Sequence, residues 1–461
     1  MIDINLYREN ENIAKREVEK WQVSARHNID NFEKTGFPVR VNNIAQLRQL
    51  LDTMSEGLFD SYMQEIEGLT KSELELLLNA IKNIIQFQYI YFPNNTPLIP
   101  FNNLMKALVL YTKLSKLEYQ SVLEIGAGSG IFSFFMQQKK DLELYTQIEV
   151  CESFYLLQNH INSFLFQEKF EQKALISNSD NINFYIYKSD DVRETYEEVD
   201  LIKTSKPKKI CSQFPWWNLG ELANNSQNYD LVLSNANLLE FSNFALHDYL
   251  SLIKLKLSQQ GLFIFHCEGD NVNNSFESLF DIMYKFNYAP LFIQASTLMV
   301  IKDIPSLVKS KKLLLAPVNA STKLLLETKE FTDKYDEIYI LDDNKSHEHI
   351  NGYPVISRDE VKKLNIKDAL IVTRNKKITS MFKEHFLSIG INCIDFQESS
   401  FTKSFGIFVS EEHELFKKYH KRENFKTHFD SKEEHIYNFF DFDIDKKQTY
   451  SKQDIFELLK G

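Results

Sequence analysis

The fold is decided by the stretch Val122-Leu-Glu-Ile-Gly-Ala-Gly-Ser-Gly130, in which a short apolar run leads directly into three alternating glycines. The chain has 461 residues but only 13 glycines, so this clustering does not suggest a casual turn. Glycine is needed where the backbone takes positive φ or where a ligand approaches too closely for a Cβ atom. A strand that enters a helix through such a loop also aims backbone amides at a ligand. The stretch therefore predicts a ligand-binding loop, with a structural turn as the alternative.

The spacing of the glycines separates the two common ligands of this geometry. Dinucleotide-binding folds use G-x-G-x-x-G, whose third glycine lets the helix pack closely behind the pyrophosphate. Here Ile131 stands where that pattern requires glycine, and Glu124 precedes the loop. The pattern favours a ligand without a pyrophosphate, namely S-adenosylmethionine, with Glu124 near its ammonium group. The loop residues predicted to bind it are Gly126, Ala127, Gly128 and Gly130.

An acidic residue is expected at the end of the next strand, where it would accept hydrogen bonds from the ribose hydroxyls. Glu149 lies there, 19 residues after Gly130, and Val150 follows it. Glu152 is the rival for this role, and a solvated carboxylate is the structural alternative. Asp190 and Asp191 are candidates to bind the adenine amine or a divalent cation, with a solvated position as the alternative; Asp191 is assigned to the cofactor, and no metal site is predicted.

The pattern of apolar residues divides the chain into four parts. Residues 1–97 have apolar stripes at helical spacing and predict a helical region that ends in a proline-rich linker. Residues 98–303 alternate short apolar runs with helix-length segments, which is typical of a parallel α/β sheet. Residues 304–398 repeat this alternation as a smaller α/β domain, and residues 399–461 form a partly helical tail.

Segments of both α/β parts are predicted to be strands. Ala289–Ala295 and Thr297–Lys302 are interpreted as an antiparallel hairpin that closes the first sheet. The other strand candidates are Ser121–Ile125, Leu144–Val150, Lys209–Phe214, Tyr229–Ser234 and Gly261–His266 in the first sheet, and Lys312–Ala316, Asp336–Leu341, Ala369–Thr373 and Asn392–Phe396 in the second.

Composition limits the classes of partner. The formal net charge of −11 gives no general reason to bind nucleic acid. The four cysteines lie far apart and indicate neither a disulfide framework nor a zinc site. No apolar window is long enough for a membrane span, and the first residues do not resemble a signal peptide. We expect a cytoplasmic protein that acts on a small-molecule or glycan acceptor, and the oligomeric state stays open, a homo-oligomer included.

Two motifs resemble those of class I S-adenosylmethionine-dependent methyltransferases: Val122–Gly130 and Tyr229-Asp-Leu-Val-Leu-Ser234. More narrowly, Ile148–Gln158 and Tyr229–Glu240 are similar to a sugar O-methyltransferase family of bacterial polysaccharide and glycoside biosynthesis. This resemblance covers roughly residues 98–270 and implies a Rossmann-like sheet and O-methylation of a sugar or glycoside hydroxyl. The chain departs from the family in having Glu149 where aspartate is usual, and Asn235-Ala-Asn237 where hydroxyl residues are usual.

The second α/β domain resembles small Rossmann-like domains attached to sugar-modifying transferases, on Leu341-Asp-Asp-Asn and Gly352-Tyr-Pro-Val-Ile. In that group the first strand enters a glycine-rich turn. Here the turn is Ala316-Pro-Val-Asn-Ala-Ser321, without glycine. We interpret the domain as one used for recognition or assembly, with a working nucleotide-sugar site as the alternative.

Three residues are candidates for catalysis. A hydroxyl acceptor benefits from a base that takes its proton as charge develops. His266 stands at the end of a predicted strand, where ligands bind in open α/β sheets. His247 lies in the helical segment after the fourth strand, where a surface position is the alternative. Glu240 is expected to begin that helix and to bind the acceptor or to stabilise the helix start.

Polar and aromatic residues near two strand ends are candidates for ligand contacts. Ser234 and Asn235 are predicted to lie beside the cofactor, and Asn237 is predicted to orient a hydroxylated acceptor, with turn chemistry as the alternative. Trp216 and Trp217 offer flat surfaces for stacking on adenine or a sugar ring, with core packing as the alternative.

Two rival functions belong to other classes. An NAD-dependent oxidoreductase or epimerase is disfavoured by the missing G-x-G-x-x-G and by the absence of a Tyr-x-x-x-Lys pair in a suitable helix. A binding or scaffold protein that keeps a methyltransferase fold without turnover is the third interpretation. Because methyl transfer needs few obligatory side chains, the sequence does not exclude the scaffold interpretation.

Overall fold

The computed structural model divides into two compact units. Unit 1 comprises Met1–Cys267, Asn271–Gln294 and Ser404–Gly461, and unit 2 comprises Glu268–Asp270 and Ala295–Lys403. The residues that the structure describes are 2–17, 21–34, 36–53, 55, 57–176, 211–235, 237–268, 279, 282–283, 285–296, 308, 310–327, 329–343, 346–373, 376–395, 403–410, 412–414 and 447–460.

Unit 1 begins with a helical region, as the sequence predicts. Its longest helix has the expected capping box: Thr70 Oγ1 accepts from the Glu73 amide at 3.2 Å, and the Glu73 carboxylate accepts from the Thr70 amide at 2.7 Å. The helices are α1 (Ile4–Glu17), α2 (Arg26–Lys34), α3 (Phe59–Glu65), α4 (Lys71–Tyr91) and α5 (Phe101–Leu114).

The α/β part of unit 1 follows directly. Its strands are β1 (Ser121–Ile125), β2 (Leu144–Glu149), β3 (Phe170–Gln172), β4 (Cys211–Pro215), β5 (Tyr229–Asn235), β6 (Leu257–Glu268) and β7 (Tyr288–Ser296). Its helices are α6 (Ser133–Met136), α7 (Glu152–Phe166), α8 (Leu219–Asn224) and α9 (Asn243–Lys256).

Unit 2 holds the second sheet. Its strands are β8 (Lys312–Ala316), β9 (Glu337–Leu341), β10 (His349–Ile350), β11 (Tyr353–Ile356), β12 (Asp368–Ile371) and β13 (Asn392–Asp395). Its helices are α10 (Ala320–Glu327), α11 (Lys329–Thr332), α12 (Arg358–Val361) and α13 (Lys376–Ser388). The chain then returns to unit 1 with β14 (Lys403–Ser410) and α14 (Lys452–Lys460).

The first sheet has the order β3-β4-β2-β1-β5-β6-β14-β7, and the pairs from β3 to β6 are parallel. Parallel strands must be covered on both faces, which explains why β1 and β2 are buried along most of their length, although β2 includes the polar residues Thr146, Gln147 and Glu149. The second sheet has the order β10-β11-β9-β8-β12-β13. Two Rossmann-like sheets and a helical amino-terminal region confirm the predicted fold class.

The end of the first sheet differs from the prediction. The predicted hairpin strand Thr297–Lys302 lies outside the described residues, and β14 stands between β6 and β7 in the sheet order. Phe408 of β14 is fully buried and stacks on Phe265 of β6 at 5.4 Å between ring centroids. The structure thus differs from the predicted division, in which residues 399–461 form a tail outside an α/β domain that ends at 303, because β14 lies in the first sheet. Unit 2 is inserted in the chain between two strands of one sheet.

Residues 447–460 pack against the helical region, which further corrects the predicted tail. Leu69 and Gln448 exchange two backbone hydrogen bonds of 2.9 Å each. Lys447 Nζ donates to the carbonyl oxygen of Ile66 at 2.6 Å, and its side chain is only 3% exposed. The amino-terminal helical region also belongs to unit 1 rather than forming a unit of its own.

Candidate functional site

The glycine loop leaves β1 at the carboxyl ends of the central strands. Gly126, Gly128 and Gly130 have φ angles of +67°, +55° and +71°, which is the left-handed region that favours glycine. The loop closes as a turn, in which the Gly130 amide donates to the carbonyl oxygen of Ala127 at 3.0 Å. The alternation of glycines that the sequence showed is thus required by the backbone conformation.

Gly128 is the open point of this loop. A Cβ atom added there would meet no described atom within 4 Å, whereas one added to Gly126 would lie 1.8 Å from Asn237 Nδ2, and one at Gly130 would lie 2.9 Å from Gln158 Cγ. Two of the glycines are therefore needed for packing against protein side chains. The third leaves free space next to the backbone, which is the space that a ligand would use.

Glu149 ends β2 beside the loop and is only 5% exposed. Its Oε1 accepts from the amides of Val150 and Cys151 at 2.8 and 3.0 Å, and its Oε2 accepts from the Gly128 amide at 3.1 Å. A fourth bond, from Gln158 Nε2 to Oε2, measures 2.9 Å. Burial raises the pKa of Glu149, and these hydrogen bonds oppose the rise. Glu149, the residue predicted to bind the ribose, thus lies next to the loop and is already bonded to it.

Gln158 of α7 is a site residue that the sequence analysis missed. Its Nε2 donates to the carbonyl oxygen of Gly128 at 2.7 Å as well as to Glu149. It was missed because a glutamine on an apolar helix carries no chemical signal of its own. The available signals were its position in the helix that directly follows the strand-end acid and its place at the end of the stretch Ile148–Gln158.

Asn237 holds the loop from the side of β5. Its Nδ2 donates to the carbonyl oxygen of Ile125 at 2.6 Å and lies 3.3 Å from that of Gly126, and its Oδ1 accepts from the Ser234 hydroxyl. The predicted role of Asn237 in orienting an acceptor is therefore corrected, since both ends of its amide are bonded to protein. Ser234, predicted to contact the cofactor, is fully buried and holds Asn237.

Glu124 lies beneath the loop, fully buried in β1. Its Oε2 accepts from the Tyr145 hydroxyl and from Gln147 Nε2, the latter at 2.9 Å, while its Oε1 has no hydrogen-bond partner among the described residues. Burial raises the pKa of Glu124 to about 7, against the effect of both hydrogen bonds. A buried carboxyl with one free oxygen fits a cationic partner nearby, because a positive charge would offset the cost of burial.

His266 and Asn235 meet across β5 and β6, where they are register partners. His266 Nδ1 lies 3.1 Å from Asn235 Oδ1, and the residue is 5% exposed. Because a carboxamide oxygen only accepts, this contact places the proton on Nδ1 and leaves the lone pair on Nε2. That is the tautomer in which the other ring nitrogen can accept a proton.

Glu240 ends the short 3-10 helix Leu238–Glu240, and its amide donates to the carbonyl oxygen of Asn237 at 3.0 Å. Burial raises the pKa of Glu240 to about 7, and the charge of Lys106 acts in the opposite direction. Burial first, and then the charges of Glu149 and Glu240 among others, raise the pKa of the Cys151 thiol. Glu240 is thus linked through its amide to Asn237, the residue that bonds the glycine loop.

His247 is half-buried in α9, and its ring centroid lies 5.8 Å from that of Phe286. This contact belongs to the packing of α9. His247 therefore stays a weaker prediction for a catalytic base than His266, which stands at a strand end.

The two tryptophans do not form a substrate platform. Trp216 and Trp217 are each 1% exposed and follow β4. Trp216 packs on Trp21 at 5.4 Å and Trp217 on Tyr7 at 4.9 Å, and Trp217 Nε1 donates to the carbonyl oxygen of Ala174 at 3.0 Å. The predicted stacking on a sugar or adenine is corrected to core packing, because residues from the amino-terminal region cover both rings.

Glu152, the alternative candidate for binding the ribose, is bonded to other protein side chains. It is fully buried and pairs with Arg8 and Arg40, each at 2.6 Å. Burial opposes its charged form, but the hydrogen bonds from the two arginines outweigh that cost and lower the pKa of Glu152. Val150, the remaining described cofactor candidate, is 9% exposed and donates its amide to Glu149. Asp191 lies outside the described residues.

Two general features bear on the class of site. Among the described helices, none is both long and apolar enough to cross a membrane. Within the described ranges, no group of three or more histidine, cysteine, aspartate and glutamate side chains is arranged to hold a metal ion.

Comparisons with known proteins give loose matches only. No family model matches the chain, and no curated protein matches it. Among solved structures it is similar to StiE O-MT residues 942–1257, at 10% identity, 75% coverage of this chain and 94% of that one, with a TM-score of 0.31. It is also similar to Haemonchus contortus phosphoethanolamine N-methyltransferase 2 in complex with S-adenosyl-L-methionine, at 11% identity.

For that Haemonchus contortus enzyme the match covers 71% of this chain and 56% of the other, with a TM-score of 0.30. A third match is N-methyltransferase NodS from Bradyrhizobium japonicum WM9 in complex with S-adenosyl-L-homocysteine, at 12% identity, 47% and 91% coverage and a TM-score of 0.27. Because TM-scores in this range carry no argument about function, the function must be inferred from the strand order and the loop geometry.

Proposed function

We propose that this chain is an S-adenosylmethionine-dependent methyltransferase that methylates a hydroxyl group of a sugar or glycoside. The observation that carries the proposal is the glycine loop at the carboxyl end of β1, open at Gly128 and bonded to a buried carboxylate, Glu149, at the end of β2. Ligands of open α/β sheets bind at such strand ends. The isoleucine at position 131, in place of a third glycine, is the reason to prefer this cofactor to a dinucleotide.

The described residues fit the cofactor at both of its polar ends. Glu124, fully buried below the loop with one oxygen that no described residue bonds, suits the ammonium group of the methionine end. Glu149 suits the ribose hydroxyls, which would take over acceptor positions now used by protein amides. Gly128 offers the close backbone approach, with Ala127 and Val150 as further contacts. When bound, the cofactor supplies an electrophilic methyl group on a sulfonium.

The chain's own residues must then place an acceptor oxygen about 3 Å from that methyl group, in line with the leaving sulfur. As the new carbon–oxygen bond forms, the acceptor hydroxyl loses its proton to a base. Glu240 is our first candidate, because its pKa of about 7 leaves part of the population ionised at neutral pH. His266 Nε2 is the second, since the contact with Asn235 Oδ1 places the proton on Nδ1 and leaves Nε2 unprotonated in the neutral ring.

We propose a recognition or assembly role for unit 2. Its first turn contains Asn319, which accepts from the Thr322 amide at 2.8 Å and donates to the carbonyl oxygen of Val372 after β12. These bonds join the carboxyl ends of β8 and β12, the point where the strand order reverses and a nucleotide would bind. A glycine-free turn bonded in this way disfavours close approach of a phosphate.

Calorimetric titration with S-adenosylmethionine and, separately, with NAD tests the cofactor. We expect saturable binding of S-adenosylmethionine and no heat with NAD. Tight NAD binding without a response to S-adenosylmethionine would favour the oxidoreductase interpretation. Formation of S-adenosylhomocysteine in the presence of sugar acceptors separates an enzyme from a scaffold, which would bind the cofactor without turning it over.

A further inference from the structure

A series of buried side-chain amides connects the amino-terminal segment to α7 and β4. The Ile2 amide donates to Asn159 Oδ1 at 2.9 Å, and Asn159 Nδ2 donates to Gln213 Oε1 at 3.1 Å. Gln213 Nε2 donates in turn to Gln158 Oε1 at 3.1 Å. All three side chains are fully buried. We name Asn159, Gln213 and Gln158 the amide relay.

The relay ends at the cofactor loop. Gln158 Nε2 donates to the carbonyl oxygen of Gly128 at 2.7 Å and to Glu149 Oε2 at 2.9 Å. Gly130 also packs on this side chain, since a Cβ atom there would lie 2.9 Å from Gln158 Cγ. One side chain thus contacts the open glycine, the last glycine of the loop and the carboxylate predicted to bind ribose.

The orientation of each side-chain amide in the relay is fixed, because the group at one end can only donate a hydrogen bond and the groups at the other end can only accept one. The Ile2 backbone amide can only donate, so it selects the oxygen of Asn159. The carbonyl of Gly128 and the carboxylate of Glu149 can only accept, so they select the nitrogen of Gln158. Reversing any amide between these ends would bring two donors or two acceptors face to face. At fully buried side chains such a mismatch is costly, because bulk water does not reach them to replace the lost bonds.

The amino-terminal segment, residues 2–41, is attached to α7 at a second place. The Ser153 amide at the start of α7 donates to the carbonyl oxygen of Val39 at 3.0 Å. The pairs that Arg8 and Arg40 make with Glu152 add charge to the same contact. The segment therefore holds both the first turn of α7 and, through Asn159, its middle.

We propose that Gln158 is a positioning residue for the cofactor loop and that the amino-terminal segment sets its orientation through the amide relay. This inference rests on the proposed function only in calling the loop a cofactor loop. The positioning itself is a property of the protein without ligand. Gln158 acts by holding Gly128 and Glu149 at the separation that a nucleoside must bridge, so that this ordering is complete before the ligand arrives.

Two near-isosteric variants test the relay at its two ends. Gln158→Leu removes the amide that holds the loop. Asn159→Asp keeps the acceptor for Ile2 but loses the donor to Gln213, which leaves Gln213 Oε1 facing another acceptor and loosens the side chain that bonds Gln158. We expect both variants of the full chain to raise amide hydrogen exchange in the peptide spanning Gly126–Gly130. We also expect both to weaken S-adenosylmethionine binding by about tenfold or more, from the cost of unsatisfied buried groups.

Matched controls remove equivalent groups elsewhere in unit 1. Gln88 is a buried glutamine that bonds the backbone of Leu98 twice, at 2.6 and 2.8 Å, and Gln88→Leu matches the first variant. Asn103 is a buried asparagine that donates to the carbonyls of Leu51 and Thr53, and Asn103→Asp matches the second. Both controls should lose comparable stability while loop exchange and cofactor affinity stay within about twofold of the unmodified chain.

If amide hydrogen exchange in Gly126–Gly130 is unchanged in Asn159→Asp, the amino-terminal segment does not act on the loop through the amide relay. If it is unchanged in Gln158→Leu, Gln158 does not position the loop. If a variant and its control show equal amide hydrogen exchange in the loop, the increase comes from a general loss of stability, and the positioning role is likewise overturned. If the unmodified chain fails to bind S-adenosylmethionine but the exchange pattern is as expected, the proposed function fails and the positioning inference stands.

Discussion

Gly128 is the residue on which ligand approach depends, and it can be tested without disturbing packing. Gly128→Leu should abolish S-adenosylmethionine binding, because the side chain fills the open space beside the loop. Stability should fall by only about 1–2 kcal/mol, the cost of a left-handed non-glycine residue. Binding is measured by calorimetry and stability by urea unfolding.

The control for that substitution is Gly390→Leu in unit 2. Gly390 has φ of +73°, and a Cβ atom added to it would also meet no described atom within 4 Å, so the backbone cost is matched. This variant should bind S-adenosylmethionine normally. Full binding by Gly128→Leu would contradict the assignment of the loop.

Glu240 makes a pH-dependent contribution if it is the base. Its pKa is raised to about 7, so the carboxylate that accepts the proton is lost as pH falls below that value. We expect the rate of methyl transfer at saturating substrate to rise with pH up to about 7 and then level off. Glu240→Gln should lower kcat by about a hundredfold or more and remove this limb of the profile. If the rate of the Glu240→Gln variant still rises with pH in the same way, Glu240 is not the base and His266 becomes the candidate.

The residue scale also shows where sequence reasoning stopped. The three glycines, Glu149 and the positions of Asn235 and His266 follow from strand ends and spacing, and these can be identified in a sequence. Asn237 was assigned to the acceptor because a polar residue at a strand end is often free to bind. Its bonds to the carbonyls of Ile125 and Gly126 are contacts between distant positions, which no local pattern encodes.

At the scale of elements, α7 is held by a cluster of charges that joins it to the amino-terminal helices. Arg40 bonds both Glu11 and Glu152, two carboxylates with side chains no more than 2% exposed. Arg40→Met should destabilise unit 1 by about 2–3 kcal/mol at pH 7, less than a fully buried pair because Arg8 still bonds Glu152. The lowered pKa of Glu152 means that this stabilisation is present above its unfolded pKa of about 4.3 and is lost as pH falls further.

Urea unfolding at about pH 7 and at successive pH values below about 4.3 follows this effect as it is lost. Arg26→Met is the control, since Arg26 pairs with Asp30 on an exposed helix face, with side chains 53% and 44% exposed. It should change stability by no more than about 0.5 kcal/mol. A similarly small effect of Arg40→Met would show that the cluster does not hold α7.

Elements were the most predictable level of this structure. The strands Ser121–Ile125 and Lys312–Ala316 begin and end at the predicted residues, and the other described strand candidates agree within a few residues at each end. Continuous apolar runs between turn residues define buried parallel strands well. The short strands β3 and β10 were missed because two or three partly exposed residues carry no periodic signal.

The whole molecule is arranged in a way that the sequence order concealed. A hairpin between neighbouring segments was predicted because consecutive strands usually pair. The structure places β14 beside β7, after an insertion that contains the sheet of unit 2, and the predicted partner strand Thr297–Lys302 lies outside the described residues. Such a return is decided by which apolar strand completes the sheet, and that depends on packing between segments far apart in the chain.

Phe408 tests whether β14 is an integral part of unit 1. The ring is fully buried against Phe263 and Phe265, so Phe408→Ala should cost about 3–5 kcal/mol of unfolding free energy. Phe456→Ala, on the 42% exposed ring of α14, should cost less than about 1 kcal/mol. Chemical unfolding followed by tryptophan fluorescence reports on unit 1, which contains all three tryptophans. If both variants lower the unfolding free energy by the same small amount, residues 403–410 are not an integral part of unit 1.

The central claim is that the bend after β1 seats a sulfonium nucleoside rather than a diphosphate, and a crystal structure with bound S-adenosylhomocysteine tests it most directly. We expect the amino-acid end of the ligand against the backbone of Gly126–Gly130 and the ribose hydroxyls on Glu149. Ligand density at any other place, or a ligand-bound structure in which Glu149 stays fully bonded to protein amides with no ribose contact, would contradict it.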